Sequence, residues 1–173
     1  MKAQALKTRK IGTKDIVICG ILMALTTVMT IVVQIPVVGS HGYVNMGDTV
    51  VLFSAMYLGR KNSAIIGGFG SALADILTGY GAFAPLTFIT KGLEGFICGL
   101  ISEKFPTKVG RILSSVIGGA IMVSGYFIGE IFMYGIKSSM AAVPANSIQA
   151  IFAIVTSLLI YSSVKKGLGK PNK

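Results

Sequence analysis

Apolar residues run along the chain in long blocks, with short polar stretches between them. The first block, about Asp15 to Ile35 and closed by Pro36, matches the roughly 20 apolar residues that a helix needs to cross a bilayer. Pro36 to Gly47 reads as a Gly-containing loop. A second span, about Asp48 to Leu58, is short for a hydrocarbon core of about 30 Å, so it is either extended by Tyr43–Met46 or tilted. Arg60, Lys61 and Asn62 read as a tight turn before a third span, Ser63 to Thr78. Gly79 to Ala84 turns into a fourth, Pro85 to Ile101, and Ser102 to Arg111 is polar. A fifth span covers Ile112 to Tyr134, a loop is expected from Gly135 to Pro144, and a sixth span runs from Ala145 to Val164. The expected fold is therefore an all-α membrane protein, six transmembrane helices in one bundle (15–164), with a basic N-terminal segment (1–14) and a basic tail (165–173).

Composition supports this and orients it. Of the 173 residues 53% are hydrophobic and 13% charged, against about 25% charged in a soluble domain; mean hydropathy is +0.76. Six spans put both termini on one side, and that side collects fourteen of the sixteen Lys and Arg residues. The opposite side has Lys137, and Lys91 lies inside span four. Basic residues concentrate in cytoplasmic loops, so both termini are expected in the cytoplasm. The same clustering between apolar runs explains the net charge of +10 without nucleic acid as a partner. The N-terminus begins like a secretory signal, but the apolar run Ile16–Ile35 exceeds the ~7–15 residues of a signal's core and is kept as a span. Cys19 and Cys98 sit inside apolar blocks and read as small buried side chains.

Charge inside a span is costly, on the order of 2.5–3.5 kcal/mol at the centre of a helix. Lys91 and Glu94 therefore need a polar cavity or a partner, and at i, i+3 they share a helix face. Counted from Pro85 at ~1.5 Å per residue, they lie ~9 and ~13 Å below the outer surface. They form either a structural ion pair or the floor of a binding site. The other polar side chains fall at the same end. Asp48 opens span two, Asp75 and Glu130 lie about a turn from the outer ends of spans three and five, and Asn146 and Gln149 open span six. Tyr80 and Tyr126 are at similar levels, below a loop carrying His41, Tyr43 and Asn45. Each has an ordinary structural explanation alone: hydration for Asp75, a cap for Asn146, a loop position for His41. Together they describe a cavity open to the outside.

Small residues recur four apart: Gly20/Ala24, Gly67/Ser71, Gly68/Ala72, Gly70/Ala74, Gly95/Gly99 and Gly125/Gly129. Such pairs let helix backbones approach closely in lipid. In span one the pair serves the bundle or a docking face for another membrane protein. The chain has no Gly-rich loop ending in Gly-Lys-Ser/Thr to hydrolyse ATP, no metal-ligand spacing and no nucleophile beside a base, so it is not read as an enzyme.

The runs Gly42–Asp48, Gly70–Asp75, Lys91–Gly95 and Pro144–Gln149 resemble the substrate-binding (S) component of energy-coupling factor (ECF) transporters, nearest the hydroxymethylpyrimidine/pyridoxine-like subgroup, over about Asp15 to Val164. The resemblance implies a subunit of a bacterial cell membrane that captures a vitamin or vitamin precursor from outside. It would work with a transmembrane T component and two cytoplasmic ATPases, which use ATP; this chain itself would bind no cofactor. It implies that the first loop lids the site and that His41, Tyr43, Asn45, Lys91, Glu94, Tyr126, Glu130, Asn146 and Gln149 contact substrate. The family's docking motif falls on Gly20 and Ala24, with Gly where Ala is usual. The competing reading is a stand-alone secondary transporter coupled to protons through Glu94 or Glu130.

Overall fold

A computed structural model describes Thr13–Leu168; most of the basic N-terminal segment and the end of the basic tail lie outside the described residues. Six helices follow one another: α1 (Thr13–Val32), α2 (Gly47–Leu58), α3 (Arg60–Leu77), α4 (Ala84–Lys104), α5 (Lys108–Tyr134) and α6 (Ile136–Leu168). Between α1 and α2 the chain makes a small antiparallel ribbon, β1 (Ile35–Pro36) with β2 (Tyr43–Val44), in the register Ile35 to Val44 and Pro36 to Tyr43.

The short helix is the central one. α2 packs on α1, α3, α4 and α6, while α1, α3, α4, α5 and α6 form an arc around it, each against the next. At twelve residues it is only about 18 Å long. Val51, Leu52, Ser54 and Ala55 are no more than 1% exposed, so its apolar residues face neighbouring helices on every side. Residues 43–46 do not extend it, because 43 and 44 belong to the ribbon. Four helices, α1, α4, α5 and α6, are long and apolar enough to cross a membrane. α2 falls short in length, and α3 carries Arg60, Lys61 and Asp75. The exterior is apolar, with residues such as Ile21, Phe132 and Ile148 largely exposed, and the buried set is rich in Ser, Thr and charged groups. That inversion suits a bundle whose solvent is lipid.

Two connections differ from the sequence expectation. Arg60–Asn62 is not a turn: Gly59 alone, at φ +83°, joins α2 to α3. The carboxylate of Glu103 accepts from the Arg60 amide at 2.9 Å and takes over an N-terminal donor that the helix leaves unpaired. Likewise Gly135–Pro144 is not a loop. Gly135, at φ +85°, ends α5, and α6 begins at Ile136 and runs through Pro144. A proline inside a helix costs a backbone hydrogen bond, but membrane helices tolerate it where neighbours satisfy the freed groups.

The small-residue pairs of α3, α4 and α5 sit at tight crossings. A Cβ at Gly95 would stand 2.5 Å from the carbonyl oxygen of Ser63, and one at Gly99 2.5 Å from the backbone of Arg60. α3 and α4 therefore touch backbone to backbone, and Ser63 Oγ donates to the Gly95 carbonyl at 2.8 Å. This contact brings Lys91 and Asp75, on adjacent helices, to the same end of the bundle.

Candidate functional site

The ribbon closes over a cavity walled by five helices. Its lining includes Thr30 of α1, Ser71 and Asp75 of α3, Thr87 and Lys91 of α4, Tyr126 and Glu130 of α5, and Asn146 and Gln149 of α6. From above, Ser40, Tyr43 and Asn45 complete it. Free space inside is about 20 Å³, room for roughly one water, so the ribbon lies closed on the walls.

The floor is a buried charge cluster. Lys91 Nζ donates to Asp48 Oδ1 and, at 3.1 Å, to Glu94 Oε2, and all three residues are at most 1% exposed. Gln149 Nε2 donates to the second Asp48 oxygen at 2.7 Å. Gln149 Oε1 in turn accepts from the Asn45 amide at 2.5 Å, and Asn45 Oδ1 accepts from the Gly47 amide at 2.8 Å. One continuous network thus ties α4, α2, α6 and the ribbon. Lys91 Nζ also lies 5.5 Å from the centroid of the Tyr126 ring, within cation–π range.

The ribbon is latched to the other walls by the same kind of contact. Ser40 Oγ donates to Glu130 Oε2 at 3.0 Å, and Tyr43 Oη donates to Asp75 Oδ1. Burial and the Asp75 carboxylate beside it push the Tyr43 phenol well above its usual pKa, so it stays a donor. Tyr126 Oη donates to Thr87 Oγ1 at 3.0 Å. Aromatic rings pack around the rim: His41 stacks on Tyr134 at 4.3 Å and Tyr43 lies against Tyr80 at 4.5 Å.

Of the residues singled out from the sequence, Tyr43, Asn45, Lys91, Tyr126, Glu130, Asn146 and Gln149 line the cavity. His41 and Glu94 do not. His41 is exposed at the rim, with its ring stacked on Tyr134, and Glu94 lies behind Lys91 and holds it. The pair Lys91–Glu94 is in fact a triad, with Asp48 the closer carboxylate. Sequence reasoning placed Asp48 only at the start of span two, since nothing in the chain pairs residues 43 apart. Ser40 and Thr87 carried no signal, being small hydroxyl residues among many, and Ser71 was marked only as a small residue for helix packing. Gly20 and Ala24 lie on an exposed face of α1, where a Cβ at Gly20 would meet nothing within 4 Å.

A helical membrane bundle with a lidded polar cavity is a binding protein for a small polar molecule. The profile of the ECF-type riboflavin transporter S component family matches residues 10–166, and the chain belongs to that family. It is a substrate-capture subunit of an ECF transporter and not an enzyme. An uncharacterized protein of Pyrococcus woesei from a gap 3′ region is 38% identical over 144 residues, 83% of this chain and 96% of that one. The thiamine precursor transporter HmpT of Lactococcus lactis subsp. cremoris is 29% identical over 154 residues, 88% of this chain and 89% of its own length. The stand-alone reading through Glu94 or Glu130 gives way to this membership.

The triad makes a direct prediction. Lys91→Met leaves Asp48 and Glu94 buried without their cation and should cost about 3–5 kcal/mol. Adding Glu94→Gln alone should recover only part of this, because Asp48 remains. The triple variant Asp48→Asn, Lys91→Met, Glu94→Gln should recover most of it, as read by thermal unfolding in detergent. Full recovery in the Lys91/Glu94 double variant would show that Asp48 is not part of the cluster.

Proposed function

We propose that the cavity under the ribbon binds a pyrimidine precursor of thiamine, captured from outside the cell for delivery by the ECF module. The observation that carries this is the convergence of Tyr43, Asn45, Lys91, Tyr126, Glu130, Asn146 and Gln149 on one cavity, in a chain that aligns along most of its length with a thiamine precursor transporter. Aromatic walls with a few hydrogen-bonding groups suit a small heteroaromatic alcohol. His41 and Glu94 act at one remove, the first at the rim and the second by positioning Lys91. Native mass spectrometry of the purified protein should find hydroxymethylpyrimidine bound. A different vitamin held at full occupancy would overturn the assignment of cargo.

In this reading all six helices cross the membrane, both termini are cytoplasmic, and the cavity opens outward in a bacterial cell membrane. The asymmetry of basic residues supports it. Cysteines introduced at Gly39 or Gly81 should label from outside intact cells, and those at Lys61 or Lys108 only after permeabilisation. External labelling at Lys61 would refute the orientation.

The T component docks on α1 and two cytoplasmic ATPases use ATP, with no cofactor held by this chain. Support comes from α1 itself: Gly20 and Ala24 are exposed beside Ile21, Leu25 and Val28, which are also exposed. Small residues on such a face permit close helix approach. Ala24→Trp should leave binding by the isolated chain within about twofold and abolish uptake by the assembled transporter. Equal loss of both would mean that this face of α1 packs within its own bundle.

A further inference from the structure

We propose that Asp75, Ser71 and Thr30 form an acceptor subsite on the α1–α3 wall, which takes an N–H-bearing edge of the cargo. The matching group is an amino substituent or a protonated ring nitrogen on a heteroaromatic. The proposal rests on the cargo-binding reading above and gives a role to a wall of the cavity whose residues were not among the substrate-contact candidates.

Three buried polar atoms on cavity-lining residues have no hydrogen-bond partner among the described residues: Thr30 Oγ1, Ser71 Oγ and Asp75 Oδ2. Their residues are only 1–2% exposed. A helical Thr or Ser in an apolar setting ordinarily bonds back to its own helix, as Thr26 Oγ1 does to the Leu22 carbonyl at 2.8 Å. Thr30 and Ser71 make no such bond. Orphaned buried groups are uncommon in folded proteins and call for a reason. Here all three fall on one side of one cavity: Ser71 and Asp75 are four apart on the same face of α3, with Thr30 on the helix packed against it.

Much of the rest of the wall is already engaged, Asn146 being an exception. Lys91 is held by Asp48 and Glu94, Gln149 by Asp48 and Asn45, Tyr126 by Thr87, and Glu130 by Ser40. Tyr43 occupies the first oxygen of Asp75 and the Thr87 hydroxyl lies close to the same carboxylate, while its second oxygen has no hydrogen-bond partner among the described residues. An ionised carboxylate oxygen only accepts, and the neighbouring hydroxyls can accept as well, so the group they suit is a donor. The charges agree. The lining carries Asp75 and Glu130, and its one cation, Lys91, is neutralised from behind. A phosphate or carboxylate on the cargo would meet those two carboxylates without a free cation to offset them. The site therefore favours an uncharged or cationic amine-bearing ring and disfavours phosphorylated forms.

The test is calorimetric titration of the purified full chain in detergent with two pairs of probes. One pair is 4-amino-5-hydroxymethyl-2-methylpyrimidine and its 4-oxo counterpart; the other is a hydroxymethylpyridine with and without an adjacent amino group. The amino member of a pair should bind at least about tenfold tighter, since a polar site left unpaired rejects the analogue strongly. Asp75→Asn should shrink that ratio to within about threefold, and Ser71→Ala should lower it several-fold without altering charge. The Ser71 variant keeps the test decisive if Asp75→Asn does not fold. Both variants keeping the wild-type ratio, or wild type preferring the oxo compound, would overturn the subsite. Binding of the pyridine pair alone, with an amino preference lost in the variants, upholds the subsite and overturns the pyrimidine assignment. Tight pyrimidine binding without amino preference does the reverse, and no binding of either pair overturns both.

Discussion

The end of this bundle beneath the ribbon is organised around one buried ammonium. Lys91 lies where neither lipid nor water can solvate it, and its charge is met by Asp48 from α2 and Glu94 from its own helix. Removing an ion pair from water costs several kcal/mol per ion, and only good geometry with further hydrogen bonds recovers it. Gln149 supplies one of those bonds to Asp48 and so ties α6 to the cluster. The arrangement adds little to stability against an apolar alternative, but its directional hydrogen bonds link α2, α4 and α6 at one point. Such specificity is what a binding site requires of its floor.

A second constraint allows the first. Lys91 can reach Asp48 because α2 is short and central, with the longer helices wrapped around it. The glycines of α3 and α4 then bring those helices together at backbone distance, since nothing else in lipid would drive them so close. Polar groups end up on the inside and apolar ones on the outside, so that capturing a water-soluble cargo needs only one opening. That opening is roofed by the ribbon, whose Ser40, Tyr43 and Asn45 each bond to a different helix: α5, α3 and α6. With about 20 Å³ free beneath it, a cargo must exchange its own hydrogen bonds for some of these latches. This chain is the substrate-binding subunit of an ECF transporter.

The blocks of apolar residues were enough to read six helices, and the small pairs enough to mark Gly95 and Gly99 as contact points. Those features are written locally, as length, hydropathy and spacing. The two misread connections, Arg60–Asn62 and Gly135–Pro144, show the limit of local rules. Charge and proline signal a break in water, but Glu103 caps the first and packing carries α6 through the second. Lys91 and Glu94 stood out because a charge in an apolar run is costly wherever it sits. Asp48, Ser71 and Thr30 did not, because a first-turn carboxylate and a helical hydroxyl are ordinary until their neighbours are known. Sequence alone determined that this protein lives in a membrane and gathers its polar groups at one end, since both follow from the energy of transferring each residue out of water. Tertiary structure alone decided which carboxylates hold Lys91 and which polar atoms of the cavity walls are left unpaired, because pairing depends on distances between helices that no single stretch of chain encodes.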